Sequence, residues 1–521
     1  MSVDAISLEV FRNLLTSAAE EMGVALGRTA YSVNIKERRD YSCAVFGPRG
    51  DMVAQAAHIP VHLGAMTASV RAGLDRLDLG PGDIAVLNDP YLGGTHLPDV
   101  SLMAPVYVGS DLIGYVANRG HHADIGGMAP GSLPLSTDLY QEGIIIPPLK
   151  LIEAGVLNDA LLELICNNTR TPVECRGDFA AQIAAIRTGE RRLVGLTERY
   201  GMPTLHEHMD AVLDYAEALT RAALRALPDG SYDFEDVMEG DGVTDDPLPI
   251  RCTVTLADGG ITFDFSGTAP QTAGCINTPL AVTESAALYV TRALVAQDIP
   301  ANDGVRRAVT LIAPVGCLIN AKSPHAVSGG NTETSQRVTD VMLGALAQAA
   351  PGVVPAASQG SMNNVLVGGR DPRSGGQYVY YETIAGGLGA GPSGPGASGV
   401  QSHMTNTLNT PVEALEYAFP LRVRQYAIRP GSGGRGLYDG GDGVVRELEF
   451  LAPAQVTLIT ERRTTRPYGL AGGGAAQAGR NVLDRDGAEH EIGAKAELNA
   501  REGDRLRIET PGGGAWGATS E

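Results

Sequence analysis

The chain has 521 residues (54.3 kDa), 43% hydrophobic and 19% charged, enough apolar content for a sizeable core and too much for wholesale disorder. A net charge of −20 repels phosphate backbones and argues against a nucleic-acid partner. No run approaches the ~18 apolar residues of a membrane span. At about 150 residues per domain the length suggests roughly three domains.

Residues 1–11 contain Asp4 and Glu9 and no basic cluster, so no secretory leader is expected. Leu8, Phe11, Leu15, Ala18, Met22 and Leu26 then recur at spacings of three and four, predicting a helix over 7–28 with Ser7 as N-cap. Ser42–Phe46 reads as a strand and residues 48–51 as a turn. Ile84–Leu87, Ser101–Val108 and Leu112–Ala117 read as strands, the last two joined into a hairpin by Gly109-Ser110-Asp111. Residues 156–200 read as helical with a break at 167–172. Punctuation at 200–203 marks a boundary, and a helix follows over 204–226. Arg251–Leu256 and Gly260–Phe265 alternate as a hairpin, and 334–350 is helical.

Beyond residue 382 the texture changes to glycine-rich stretches at 386–399 and 431–443, with ordered strands expected between them. These loops read as turns and subunit contacts, or as the lining of a passage to a partner's site. The expected architecture is α+β and multi-domain, with mixed sheets, packed helices and a glycine-rich C-terminal β region. The domains are placed at 1–200 (metal site), 201–320 (middle α+β) and 321–521 (glycine-rich).

Five of the ten histidines fall between residues 58 and 122. Two runs concentrate them with carboxylates: Asn88-Asp89-Pro90-Tyr91-Leu92-Gly93-Gly94-Thr95-His96-Leu97-Pro98-Asp99 and Asn118-Arg119-Gly120-His121-His122-Ala123-Asp124. Both follow predicted strands, which puts them on loops at strand ends, where sites tend to sit. Imidazole plus carboxylate is a donor set for Zn²⁺, Mn²⁺ or Fe²⁺, and about three such ligands leave a position open for chemistry. Successive residues of a strand point to opposite faces, so His121 and His122 cannot both reach one ion; which of them does is open. His58 and His62 read as core or loop histidines, and His206 and His208 as solvated helix residues.

Other chemistries are argued against by what is missing. There is no Gly-x-Ser-x-Gly elbow, no Walker A loop and no dinucleotide fingerprint, so any ATP is expected on another chain. The six cysteines (43, 166, 175, 252, 275 and 317) form no Cys-x-x-Cys pair, which argues against a zinc knot and fits a reducing cytoplasm. Cys43 reads as a buried, inert thiol.

In this order, the two histidine runs and several further motifs resemble the hydantoinase B family over nearly the whole chain. The further motifs are Ile35-Lys36-Glu37-Arg38-Arg39-Asp40-Tyr41-Ser42-Cys43, His58-Ile59-Pro60-Val61-His62-Leu63-Gly64, Tyr140-Gln141-Glu142-Gly143 and Gly189-Glu190-Arg191-Arg192. They continue with Asp264-Phe265-Ser266-Gly267-Thr268, Gly329-Gly330-Asn331-Thr332-Glu333-Thr334-Ser335-Gln336, His403-Met404-Thr405-Asn406-Thr407, Asn409-Thr410-Pro411-Val412-Glu413 and Gly440-Gly441-Asp442-Gly443. The family includes B subunits of N-methylhydantoinase and 5-oxoprolinase-like enzymes, and caprolactamase, acetone carboxylase and acetophenone carboxylase have related subunits.

The resemblance implies a division of labour. A hydantoinase A-type partner binds ATP and phosphorylates the carbonyl oxygen of a hydantoin, 5-oxoproline or other lactam. The hydantoinase B-type chain then completes the hydrolysis, with a divalent metal (Zn, Mn or Fe). It also implies a cytoplasmic hetero-oligomer, a heterotetramer or larger. By resemblance the metal falls to Asp40, His96 and His121, with Asp89 as a further ligand. His122 and Asp124 are then candidate catalytic or supporting residues, and Asp99 or Asp124 would orient a liganding imidazole. Two rivals stand within the same assembly, a ketone carboxylase subunit and a non-catalytic scaffold for the A-type partner. A third is a stand-alone metal hydrolase.

Overall fold

The computed structural model describes residues 3–56, 58–295 and 298–519. The first helix, α1 (Ala5–Thr29), buries Phe11, Leu15, Ala18, Met22 and Leu26 of the predicted stripe and leaves its first member, Leu8, partly exposed. Its cap differs from the expected Ser7. Asp4 is the N-cap, and its carboxylate accepts from the backbone N–H groups of Ile6 and Ser7, two donors with no partner within the helix.

The N-terminal sheet contains β1 (Tyr41–Phe46), β2 (Met52–Gln55), β3 (Ile84–Leu87), β4 (Asp99–Val108), β5 (Asp111–His121), β6 (Leu149–Glu153) and β7 (Val156–Leu157), ordered β2-β1-β5-β4-β3-β6-β7. Every residue of β1 is buried, because both faces of the sheet are covered. Cys43 and Val45 join an apolar cluster with α1 and α5 (Pro172–Tyr200). Ala44 and Phe46 join another with Met66 and Val70 of α3 (His62–Arg76). Between them in the chain lie α2 (Val33–Lys36) and α4 (Asp159–Asn167). Residues 156–157, expected to be helical, pair instead as β7 with β6.

Gly201, at φ +81°, separates α5 from α6 (Met202–Leu224). On α6, His208 is not solvated as its sequence suggests. It is buried and stacks on Phe11, ring centroids 3.9 Å apart, while half-buried His206 meets the Ile113 carbonyl through Nε2.

The second sheet contains β8 (Gly230–Glu239), β9 (Pro247–Ala257), β10 (Gly260–Asp264) and β11 (Val309–Ile312). Its parallel β10–β11 pair makes it mixed. Helices α7 (Leu280–Val295), α8 (Asp303–Arg306) and α9 (Ser335–Ala349) belong to this region, and Gly330–Thr334 forms a π-helical turn leading into α9.

The C-terminal third is a sandwich. One sheet has β12 (Asn364–Arg370), β13 (Gln377–Thr383), β16 (Ala454–Ile459) and β19 (Lys495–Ala500). The other has β14 (Leu421–Ile428), β15 (Val444–Phe450), β17 (Arg480–Arg485), β18 (Ala488–Ile492) and β20 (Arg505–Glu509). Val365, Val367 and Leu458 of the first share a core with Leu448, Leu506 and Ile508 of the second. Helix α10 (Val412–Ala418) adds Leu415. Among the described residues, no helix is long and apolar enough to cross a membrane. The architecture is the expected α+β, with helices packed on several sheets.

The glycine-rich loops pack backbone against backbone. Gly513 donates to the Gly441 carbonyl, Gly441 to Leu388, and Gly387 to Pro511. A Cβ on Gly513 would sit 2.1 Å from the Leu388 oxygen. We expect Gly513→Ala to lower stability by about 1–3 kcal/mol, since the obstruction is backbone and cannot rotate away. A denaturant titration would show a lower midpoint at unchanged slope; an unchanged midpoint would mean the layer opens freely.

Candidate metal centre

Register, more than sequence proximity, builds the centre. In the antiparallel β4–β5 pair Asp99 lies directly opposite His121, so their side chains share a face. A turn immediately before β4, closed by Asp99 N–H to the His96 carbonyl, brings His96 over the same face. Strand β1 pairs Tyr41 with Gly120, so Asp40 arrives at the same sheet end, and its carbonyl accepts from His121 N–H.

One ligating atom from each of His96, Asp99 and His121 falls within 4.8 Å of the others. The three residues are 0%, 1% and 3% exposed, so bulk solvent does not reach them. His96 Nε2, His121 Nε2 and Asp99 Oδ1 have no hydrogen-bond partner. Buried polar atoms left unpaired are costly, and three converging on one point fit a cation. The cavity between them holds about 20 Å³, room for one ion or one water. Asp40, His62, Asn331, Tyr381, Met404 and Thr405 are among its other walls.

The surroundings fix both rings. His96 Nδ1 faces the Ser328 carbonyl at 3.4 Å, an acceptor that puts the proton on Nδ1 and leaves the Nε2 lone pair for the cavity. The Ser328 segment is itself held by Glu142, whose carboxylate accepts from the N–H groups of Val327 and Ser328. Burial raises the Glu142 carboxyl to about 7. His121 Nδ1 lies 3.2 Å from the Asn34 amide, and its ring stacks on Tyr381 at 4.9 Å. As placed, Asn34 Nδ2 faces His121 Nδ1 while Asn34 Oδ1 accepts from Arg38 Nη1 at 3.4 Å. For His121 Nε2 to ligate, Nδ1 carries the proton and the amide turns its oxygen to it, giving up that contact with Arg38.

Electrostatics divide the roles. Burial holds His121 well below the usual imidazole range, in the neutral form that ligates metals. Burial also opposes charge on His96, but adjacent Asp99 (3.3 Å) lifts it above its ordinary value, so a cation would bind there by displacing the Nε2 proton. Burial raises Asp99 too, yet His96 and His62 outweigh it and hold the carboxylate well down. Thr95 Oγ1 and Asn331 Nδ2 both donate to Asp99 Oδ2. Asp40 is raised by burial despite Arg38, whose Nη2 is 3.8 Å away.

Of the residues singled out from the sequence, His96, His121 and Asp40 meet at this cavity, and Asp99, expected only to orient a ligand, offers an oxygen to it. Asp89 does not arrive. It caps a short 3-10 turn, accepting from Tyr91 N–H, and the chain turns away. His122 points to the opposite face, against Phe179, with Nε2 3.0 Å from Gln182 Oε1, as strand alternation requires. Asp124 is taken by Arg170, Ser132 Oγ and Gly126 N–H. The second run is not wholly loop either, since Asn118–His121 completes β5.

His62, read as an ordinary core histidine, lies at the centre. Its Nε2 is 3.5 Å from Asp99 Oδ1 and its Nδ1 is 2.8 Å from Ser42 Oγ. Asn331 comes from a π-helical turn more than 200 residues away, and the only signal for it was its glycine-flanked motif.

Residues 4–519 match the model of the Hydantoinase B/oxoprolinase family, and the chain belongs to that family. It is 40% identical to an uncharacterized protein of Methanocaldococcus jannaschii, over 100% of this chain and 92% of that one. It is also 40% identical to 5-oxoprolinase 1 of Arabidopsis thaliana, covering 99% of this chain but only 42% of that protein. The B-type subunit of a putative D-/L-hydantoinase from a Pseudomonas species is 32% identical over 99% of this chain and 90% of its own length. The solved ATP-dependent caprolactamase of Pseudomonas jessenii superposes with a TM-score of 0.92 at 30% identity, covering 99% of this chain and 92% of that chain. Acetone carboxylase shares the fold, with a TM-score of 0.90 at 18% identity over 98% of this chain and 76% of that one.

Proposed function

We propose that this chain is the hydrolytic half of an ATP-dependent cyclic-amide hydrolase, acting on a hydantoin, 5-oxoproline or another lactam. In this reading a hydantoinase A-type partner binds ATP and activates the substrate, and a divalent metal (Zn, Mn or Fe) is held by His96, Asp99 and His121. The observation that carries the reading is the convergence of three buried, unpaired donor atoms on one cavity. Two findings support a partner. The Pseudomonas relative is named as one subunit of a hydantoinase, and the 5-oxoprolinase of Arabidopsis thaliana has more than half its length outside the matched region.

A lactam carbonyl is a poor electrophile because of amide resonance, and phosphorylation of its oxygen on the partner would supply a leaving group. A bound divalent ion supplies Lewis acidity for a carbonyl or phosphoryl oxygen and acidifies water. The chain's own groups do the rest. Asp99 would supply the negative charge that retains the cation; Thr95 and Asn331 fix its Oδ2, and His62 Nε2 stands 3.5 Å from Oδ1. Asp40, at the cavity wall and with its carboxyl raised by burial, can hold or release a proton there. Arg38, fully buried over the Tyr381 ring at 4.4 Å, puts a permanent positive charge 3.8 Å from the Asp40 carboxylate and favours its ionised form.

Elemental analysis of the dialysed protein should find about one equivalent of Zn, Mn or Fe per chain, lost in folded His96→Ala. With the partner and ATP, lactam turnover should proceed without bicarbonate. A strict need for bicarbonate would favour a carboxylase subunit. Coupled turnover surviving in His96→Ala would favour a scaffold. Turnover by this chain without partner or ATP would overturn the division of labour.

A further inference from the structure

Cys166 and Cys175 have no part in the chemistry above, yet their sulfurs lie 3.3 Å apart in a shared hydrogen bond. Cys166 is next to last in α4 and Cys175 is near the start of α5, facing each other across the corner 168–171. They are 2% and 3% exposed. The other four cysteines form no such contact among the described residues.

The corner carries Arg170. Its guanidinium reaches Asp124 at 3.0 Å and the carbonyls of Gly126 at 3.4 Å and Gly127 at 2.9 Å. Those residues continue directly from His121 and His122, so the thiol pair sits at the root of a clamp on the segment leaving the centre. A covalent S–S bond is about 2.05 Å, so the sulfurs need close by only roughly 1.2 Å. The contact with Cys175 and the nearby Arg176 favour the thiolate on Cys166, despite its burial.

We propose that Cys166 and Cys175 form a reversible intramolecular disulfide, oxidised by a small-molecule disulfide, R–S–S–R. The Cys166 thiolate attacks one sulfur of the oxidant, breaks its S–S bond and releases one R–S⁻. Cys175 then loses its proton, and its sulfur attacks the Cys166 sulfur of the mixed disulfide and releases the second R–S⁻. The two protein thiols lose two protons and two electrons, and the products are one protein disulfide and two R–SH. The bond would pin the α4–α5 corner and with it the Arg170 clamp.

The test treats the reduced full chain with hydroxyethyl disulfide under native conditions. The reaction is quenched in acid, and the chain is unfolded and alkylated. Alkylatable thiols should fall from six to four, and a digest should contain one peptide pair joining Cys166 to Cys175, released by dithiothreitol. In Cys175→Ser, shown to be folded by circular dichroism, that cross-link should vanish and Cys166 should retain the oxidant's half as a mixed disulfide. Six alkylatable thiols in the treated wild type would overturn the proposal. So would a cross-link to any other cysteine, or a mixed disulfide on Cys166 that persists while Cys175 is intact.

Discussion

His121→Ala should leave a folded chain that binds no metal and, with its partner, turns over lactam about 10³-fold more slowly or worse. The magnitude follows from the several kcal/mol of charge stabilisation a metal supplies, at 1.36 kcal/mol per tenfold. Folding should survive because the removed ring is one wall of a small cavity. Its neighbours Tyr381 and Asn34 remain anchored, Tyr381 by β13 and Asn34 by the buried Arg38. His122→Ala is the informative companion. That ring lies on the opposite face, against Phe179 and Gln182, so metal content should be unchanged and only packing lost. Elemental analysis of both variants decides the matter. If His122→Ala loses the metal and His121→Ala keeps it, the centre is not where the β4–β5 register puts it.

Glu461→Ala should be among the most destabilising single changes in the chain, by about 3–5 kcal/mol. Its fully buried carboxylate accepts from Arg337 Nη2 at 3.1 Å and from Lys495 Nζ, and both of those side chains are buried. Arg337 also pairs with Asp236, and Arg462 joins Asp236 to Asp340. The network ties β8, α9, β19 and the segment after β16 together. Removing Glu461 strands Lys495, which has no other carboxylate partner among the described ion pairs, in a place where the charge cannot be hydrated. Adding Lys495→Met to Glu461→Ala should recover part of the loss, because the uncompensated charge goes too. A denaturation midpoint for Glu461→Ala within about 1 kcal/mol of wild type would show that the network adds little to stability. The same variant should loosen the candidate centre, since α9 follows directly on the turn that carries Asn331.

Local pattern was a good guide wherever one residue's environment is set by its sequence neighbours. The α1 stripe, the β4–β5 hairpin and the helix over 335–349 are stated in the sequence, because burial of one face imposes a period of 3.6 or 2. The exception at α1 is instructive. Ser7 and Asp4 are both good caps, and Asp4 prevails by receiving two backbone donors. His208 is buried where its place in the sequence suggests a solvated face, because its partner, Phe11, lies on another helix that no spacing rule connects to α6.

For the centre, the sequence by itself determined the chemistry available, namely imidazoles and carboxylates gathered at strand ends near residues 88–124. It also determined that His121 and His122 must part company, because a pleated strand alternates its side chains. Only the tertiary structure decided which carboxylate reaches the cavity. Asp89, Asp99 and Asp124 are equivalent as acids. The antiparallel register sets Asp99 opposite His121, a short turn spends Asp89 on its own backbone, and Arg170 claims Asp124. Only the tertiary structure, too, could bring in His62 and Asn331. Their approach depends on where α3 and the turn before α9 pack, and contact between distant segments is fixed by the burial of whole faces, which no local spacing encodes.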